Sequence, residues 1–269
     1  MRVYIQFDFE GVAGFVIRDN QDRNVPTTLE RTKRLMKIAT AEVSAAATGA
    51  FEAGAEEVVI WDSHGNGNTL LVEELPEQAQ LITGRNGQGP WLPFFKGTDV
   101  GMYIGGHAMA GTAHAITPHT LLEVNGKDYG EVGMFILECG SQDIPVVLVS
   151  GDSAVQREVQ PLIPDSEIVV TKVAAGPTIA KTITPALSAK LIQKAARRGV
   201  ERRHEIPPCR LAPPFTFRVG GDKRTPEEGF CPGTDDLLAA YRAFLSTHLN
   251  YCQGWPDYAL RDEDYGPYE

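Results

Sequence analysis

Short apolar runs and helical stripes alternate along this chain. Val3 to Phe7 is rich in β-formers and predicts a strand. It breaks at Asp8-Phe9-Glu10-Gly11-Val12-Ala13-Gly14, where two glycines permit a sharp loop. Leu35, Ile38, Ala39, Val43, Ala46, Ala47, Ala50 and Phe51 then fall three or four apart, the stripe of a helix with one buried face. Thr27-Thr28 is placed to cap that helix and Gly54 to stop it. Val58 to Trp61 is an apolar run that predicts a buried strand ending in Asp62-Ser63-His64-Gly65. The stretch beyond it, with Pro90, Pro93 and several glycines, predicts mostly loop.

Further strands are predicted at Val100 to Ile104, Ile144 to Val149, Ile168 to Val173 and Phe215 to Val219. Pro185 to Arg198 predicts a helix with proline in its first turn. Thr234 to Leu249 predicts a last helix capped by Thr234 or Asp235. Strands alternating with helices imply an α/β fold, a mostly parallel sheet flanked by helices, with a smaller C-terminal α+β portion. Pro207-Pro208 to Pro213-Pro214 reads as a linker or crossover. The acidic, aromatic tail from Trp255 to Glu269 is either a frayed end or an arm packed on a neighbouring subunit.

Composition narrows the function classes. The 269 residues carry 25 Lys+Arg and 35 Asp+Glu, a formal net charge of −10. Such a chain repels phosphate backbones unless it holds a strong basic patch. The one dense basic run, Arg197 to Arg203, lacks aromatics and suits a solvated helix end, so no nucleic-acid partner is expected. No run approaches the roughly 18–20 apolar residues of a membrane span, so no membrane partner is expected either. Cys139, Cys209, Cys231 and Cys252 form no C-x-x-C pair, and the first residues reach a charge too early for a signal core. These features point to a cytoplasmic protein with reduced thiols.

Candidate chemistry lies at the strand ends. In open α/β sheets ligands bind beyond the carboxyl ends of the strands. The first strand ends in Asp8 and Glu10, the second in Asp62 and His64, the third in His107. Four of the six histidines, His64, His107, His114 and His119, fall in this first half. Carboxylates with imidazoles and no thiolates suit divalent zinc, manganese or cobalt. Two such ions sharing a bridging carboxylate lower the pKa of a bound water and polarise a carbonyl. Each signal alone has a plainer reading. Asp-x-Glu after a strand is commonly a cap, and a histidine after Gly-Gly is commonly a loop residue. Asp62 orients His64 or caps its loop. Ser63 lacks the G-x-S-x-G elbow of a hydrolase nucleophile.

The motifs occur in a telling order. Asp8-x-Glu10-Gly11-x-x-Gly14 is followed by Asp62-Ser63-His64, Gly106-His107-Ala108-Met109-Ala110-Gly111-Thr112 and His119-Thr120. Asn125-Gly126 with Gly130-Glu131, and then Ser150-Gly151-Asp152, complete the series. This pattern resembles the zinc-dependent D-aminopeptidase family of the dipeptide-transport-operon type. The likeness is good over about residues 1–175, looser through 176–220 and poor beyond. It departs from the family at Gln6, where a small residue is usual, and after Cys231-Pro232-Gly233-Thr234, where a further strand is expected.

The resemblance implies two zinc ions per chain, with Asp8 bridging them. Glu10 and His107 would complete one ion's ligands, His64 and Glu131 the other's, and His119 would be the catalytic histidine. It also implies an aminopeptidase that releases N-terminal, D-configured residues from short peptides or amides through a metal-activated water, and a ring-like homo-oligomer. On this reading residues 1–175 form the metal-binding catalytic domain and 176–269 a smaller portion packed on it. His114 has no counterpart in the pattern and is expected at the surface. A hydrolase of another amide or of L-peptides at the same site, and a metal-binding scaffold without turnover, remain the alternatives.

Overall fold

The computed structural model describes residues 1–16, 26–84, 90–219 and 229–248, with only the backbone of Pro26 and Thr27. The elements run β1 (Arg2–Phe7), α1 (Pro26–Glu52), β2 (Glu57–Asp62), β3 (Gln80–Ile82), β4 (Val100–Gly106), β5 (Leu122–Val124) and β6 (Lys127–Tyr129). They continue with α2 (Glu131–Ser141), β7 (Val146–Asp152), α3 (Ser153–Val159), β8 (Glu167–Gly176), β9 (Ile179–Thr182), α4 (Pro185–Glu201), β10 (Phe217–Val219) and α5 (Leu237–His248). Among the described residues no helix is long and apolar enough to cross a membrane.

Seven strands form one sheet in the order β3-β2-β1-β4-β7-β8-β9. Every neighbouring pair is parallel except β8 and β9. The expected mostly parallel α/β architecture is therefore present. β1 alternates its side chains between two cores, as a strand buried on both faces must. Val3, Ile5 and Phe7 pack under α1 and α4, while Tyr4 packs with Tyr103 under α2 and α3. α1 and α4 meet through small residues, among them Ala46, Ala50, Ala195 and Ala196. Gly49 has no room for a side chain, since a Cβ there would lie 2.3 Å from the Gln193 carbonyl. α5 covers α2 and the small sheet β10-β5-β6. β8 runs across residue 175, and α4 packs on α1.

Several boundaries differ from the sequence expectation. α1 begins at Pro26, so Thr27-Thr28 sits inside its first turn; proline is preset for that position. The residue ahead of Pro26 lies outside the described residues. α4 is capped by Thr184, whose hydroxyl accepts from Leu187 N, and has proline in its first turn as expected. α5 is capped by Asp236, which accepts from Ala239 N at 3.0 Å, rather than by Thr234 or Asp235. The stretch expected to be mostly loop contains β3. Among the described residues beyond Val219, an isolated bridge joins Phe230 to Phe217. The acidic tail lies outside the described residues.

What this topology positions is the carboxyl edge around β1. The chain moves outward through β2 and β3 and then returns to place β4 on the other side of β1. That reversal opens a crevice at the ends of β1 and β4, the usual ligand position in such sheets.

Candidate metal centre

The strands around the crevice deliver polar groups to it. β1 runs into Asp8 and Glu10, which are 3% and 1% exposed. β2 runs into His64 and β4 into His107. The turn after β1 presses on the end of β4. Gly105 has φ +82°, and a Cβ on it would lie 1.9 Å from the Asp8 carbonyl. Only glycine meets both demands. Ser150 Oγ accepts from Gly105 N at 3.0 Å and pins this crossing from β7.

His119 reaches the crevice by a folded loop. Ala110 N donates to the Thr120 carbonyl at 2.9 Å and His119 N to the Ala108 carbonyl at 3.3 Å. His114, Thr117 and Thr120 have φ values of 56°, 47° and 56°. Left-handed backbone at three residues other than glycine stores strain, which clusters at functional sites. The loop is held by Glu158, which accepts from Met109 N and from the Thr112 hydroxyl. Asp152 caps α3 and also accepts from Ile116 N at 2.9 Å. Glu131 opens α2, where the helix dipole favours a carboxylate.

The six residues form two adjoining groups. Asp8, Glu10 and His64 make one, and His107, His119 and Glu131 the other; within each, one ligand atom per residue lies within 4.8 Å of the rest. Asp8 Oδ2 stands 3.3 Å from His107 Nε2 and so joins the groups. Glu10 Oε1 lies 3.6 Å from His64 Nε2, and Glu131 Oε1 lies 3.5 Å from His107 Nε2. The family resemblance sets Glu10 with His107 and His64 with Glu131. The strand order explains the difference: β1 lies between β2 and β4, so Glu10 turns toward His64 while α2 brings Glu131 to His107.

All three imidazoles aim Nε2 inward because Nδ1 is engaged elsewhere. His107 Nδ1 contacts the Ala108 carbonyl at 2.9 Å, and His119 Nδ1 the Thr117 carbonyl at 2.8 Å. A carbonyl accepts, so these contacts put a proton on Nδ1, and in the neutral ring a ligand requires, the lone pair lies on Nε2. His64 Nδ1 lies 3.0 Å from Thr69 Oγ1. Thr69 is set in turn by Asp62, whose Oδ2 accepts from Thr69 N at 2.6 Å and Leu70 N at 2.8 Å. Asp62 is thus a loop clamp, and the group touching His64 Nδ1 is Thr69. Ser63 donates to the Phe7 carbonyl and accepts from Gln6 Nε2, a structural role. His114 is exposed and belongs to neither group.

The electrostatics mark a place that seeks a cation. Burial, reinforced by Glu10, holds the Asp8 carboxyl well above the usual range. Burial also pushes Glu10 up, but contact with His64 and Asp8 outweighs it and holds Glu10 far below the usual range. Burial pulls His107 down, yet contact with Glu131 and the charge of Asp8 raise it to about 10. His119 is lowered by burial and by the charge of His107. Burial pushes Glu131 up, and contacts with His107 and the Thr120 hydroxyl bring it to about 2. Asp8 Oδ2 and His107 Nε2 are buried without a hydrogen bond. Three imidazole nitrogens and three carboxylates fit divalent zinc, manganese or cobalt, with Asp8 placed to bridge.

Comparison with known proteins identifies what the chain is similar to. A family model described as D-aminopeptidase matches residues 1–228. The D-aminopeptidase of Bacillus subtilis (strain 168) is 26% identical over 269 residues, covering 91% of this chain and 96% of its own. A solved structure, the Zn-dependent D-aminopeptidase DppA from Bacillus subtilis, described as a self-compartmentalizing protease, matches with a TM-score of 0.73. That match is 24% identical and covers 91% of this chain and 96% of the other, a likeness of fold.

Proposed function

From the premise that the chain belongs to the D-aminopeptidase family, we propose that it is a zinc-dependent aminopeptidase releasing N-terminal D-residues from short peptides or amides. The observation that carries this reading is the meeting of Asp8, Glu10, His64, His107, His119 and Glu131 at one sheet edge. Asp8, Glu10, His64, His107 and Glu131 would hold two zinc ions, with Asp8 shared between them. When bound, zinc lowers the pKa of a water and polarises the scissile carbonyl.

The remaining work falls to the chain. Buried Asp8, Glu10 and His107 form a floor from which bulk water is excluded, while His119 and Glu131 stand at the partly exposed mouth. Thr117 fixes the His119 tautomer, so Nε2 can take a proton from the attacking water and pass it to the leaving amine. The acidic surroundings suit the ammonium of a free peptide N-terminus. Preference for D-residues rests on family membership. A ring-like homo-oligomer is supported by the self-compartmentalizing description of the solved relative. Free thiols at Cys139, Cys209 and Cys231 support a cytoplasmic setting.

The test is hydrolysis of paired D- and L-alanyl amides and dipeptides by the wild type and by His119→Ala. Release of D-alanine that is lost in His119→Ala is expected. Cleavage of the L-series alone would contradict the stereochemistry. Cleavage of neither series would contradict the aminopeptidase reading.

A further inference from the structure

The loop that follows Asp8-x-Glu10 is gripped by side chains that lie outside the two candidate ligand groups. Lys172 Nζ donates to the carbonyls of Glu10 and Val12, both at 2.6 Å. Thr171 Oγ1 lies 2.5 Å from the Gly11 carbonyl and 3.0 Å from that of Gly151. Glu42 Oε1 accepts from Ala13 N at 3.0 Å and from the Ser188 hydroxyl at 2.7 Å. Thr182 Oγ1 accepts from Gly14 N at 3.0 Å. A backbone group of each successive residue from Glu10 to Gly14 is therefore held by a side chain of α1, β8 or β9.

Neighbouring strand residues point to opposite faces, so Thr171 and Lys172 should not both reach one loop. A β-bulge removes that obstacle. Gly151 pairs with Val170 and Asp152 with Lys172, leaving Thr171 as the extra residue. Bulges re-aim side chains in this way and recur beside active sites. Lys172 is 1% exposed and Thr171 fully buried. Burying an ammonium is costly, and an apolar side chain would serve packing better. Here the cost is offset in part by the two carbonyls and by the charges of Glu42, Asp152, Glu10 and Asp8. The Phe15 ring covers the head at 5.7 Å.

We propose that Lys172 is a positioning residue of the metal centre, fixing the Glu10 loop across the bulge so that the Glu10 carboxylate meets His64. It thereby sets how tightly the ion on the Glu10–His64 side is held. This rests on the zinc reading above. Loss of a group that orients a ligand costs about 10–100-fold in metal affinity.

The test challenges zinc-loaded full-length protein with a chromophoric chelator and follows metal release alongside far-UV circular dichroism. Lys172→Met is expected to release one equivalent about 10–100-fold faster than wild type, with the second equivalent and the dichroism unchanged. Thr171→Val is expected to shift the same equivalent by less, and it decides the matter if Lys172→Met does not fold. Release of both equivalents at wild-type rates from a folded variant would overturn the proposal. So would acceleration of both together as the fold opens. A wild-type protein that takes up no zinc would instead overturn the zinc reading, so the two failures appear in different proteins.

Discussion

His107 and His119 stack face to face, with ring centroids 3.7 Å apart and planes 16° from parallel. Two stacked imidazoles do not readily both carry charge. The surroundings divide the roles between them. His107 sits deep, against Asp8 and Glu131, as a ligand should. His119 sits at the mouth, where burial and the charge of its neighbour lower its pKa, and faces Glu131 at 4.0 Å.

Replacing His119 separates a proton carrier from a ligand. His119→Ala is expected to lower kcat by about 10²–10⁴-fold, the usual worth of a positioned acid or base. Zinc content per chain should stay at the wild-type level by elemental analysis. Loss of an equivalent of zinc would make His119 a ligand instead.

Thr69 holds His64 from behind at 3.0 Å. Thr69→Val keeps the shape and removes the oxygen. Zinc affinity is expected to fall about tenfold or more. A chelator competition giving wild-type affinity would contradict the orienting role.

The crossing of Gly105 over Asp8 tolerates no side chain. Gly105→Ala combines a left-handed φ of +82° with a contact of 1.9 Å to backbone. It is expected to cost roughly 2–5 kcal/mol and to disturb zinc binding. Denaturant unfolding would measure the first, and a wild-type midpoint would contradict it.

Glu138 supplies a pH dependence remote from the cluster. Burial on α2 pushes its carboxyl up to about 8, against the pull of the Trp91 indole N–H at 3.0 Å and of Arg242. An unfolded glutamate loses its proton near about 4.3. Between these values the native chain binds the extra proton, so stability falls as pH rises through the window. At about 1.4 kcal/mol per unit, this carboxyl accounts for a loss on the order of 5 kcal/mol. Glu138→Gln keeps an acceptor for Trp91 and cannot ionise. Its Tm should therefore decline less than wild type between pH 5 and pH 8, and parallel declines would contradict the assignment.

Much of this was legible because a parallel sheet concentrates polar residues at one edge. Asp8, Glu10, His64 and His107 follow apolar strands directly, so their convergence follows from topology. Glu131 and His119 come from a helix start and a folded loop, and only the family motif pointed to them. α2 escaped periodicity because Val132 to Gly140 are all buried, leaving no polar face to set a helical phase. The hairpin of β5 and β6 had a readable signal in Asn125-Gly126, both with positive φ, but its strands of three residues are too short to alternate visibly. The pairing of Glu10 with His64 depends on strand order, and the grip of Lys172 depends on a bulge. Neither leaves a mark in local sequence.

The most direct measurement is the rate of D-alanyl amide hydrolysis as zinc is added back to metal-stripped full-length protein. The rate is expected to rise from near zero and level off at about two equivalents per chain, the count for a shared Asp8 in a two-metal site. Hydrolysis at full rate before any zinc is added, or none at any zinc level, would contradict the account.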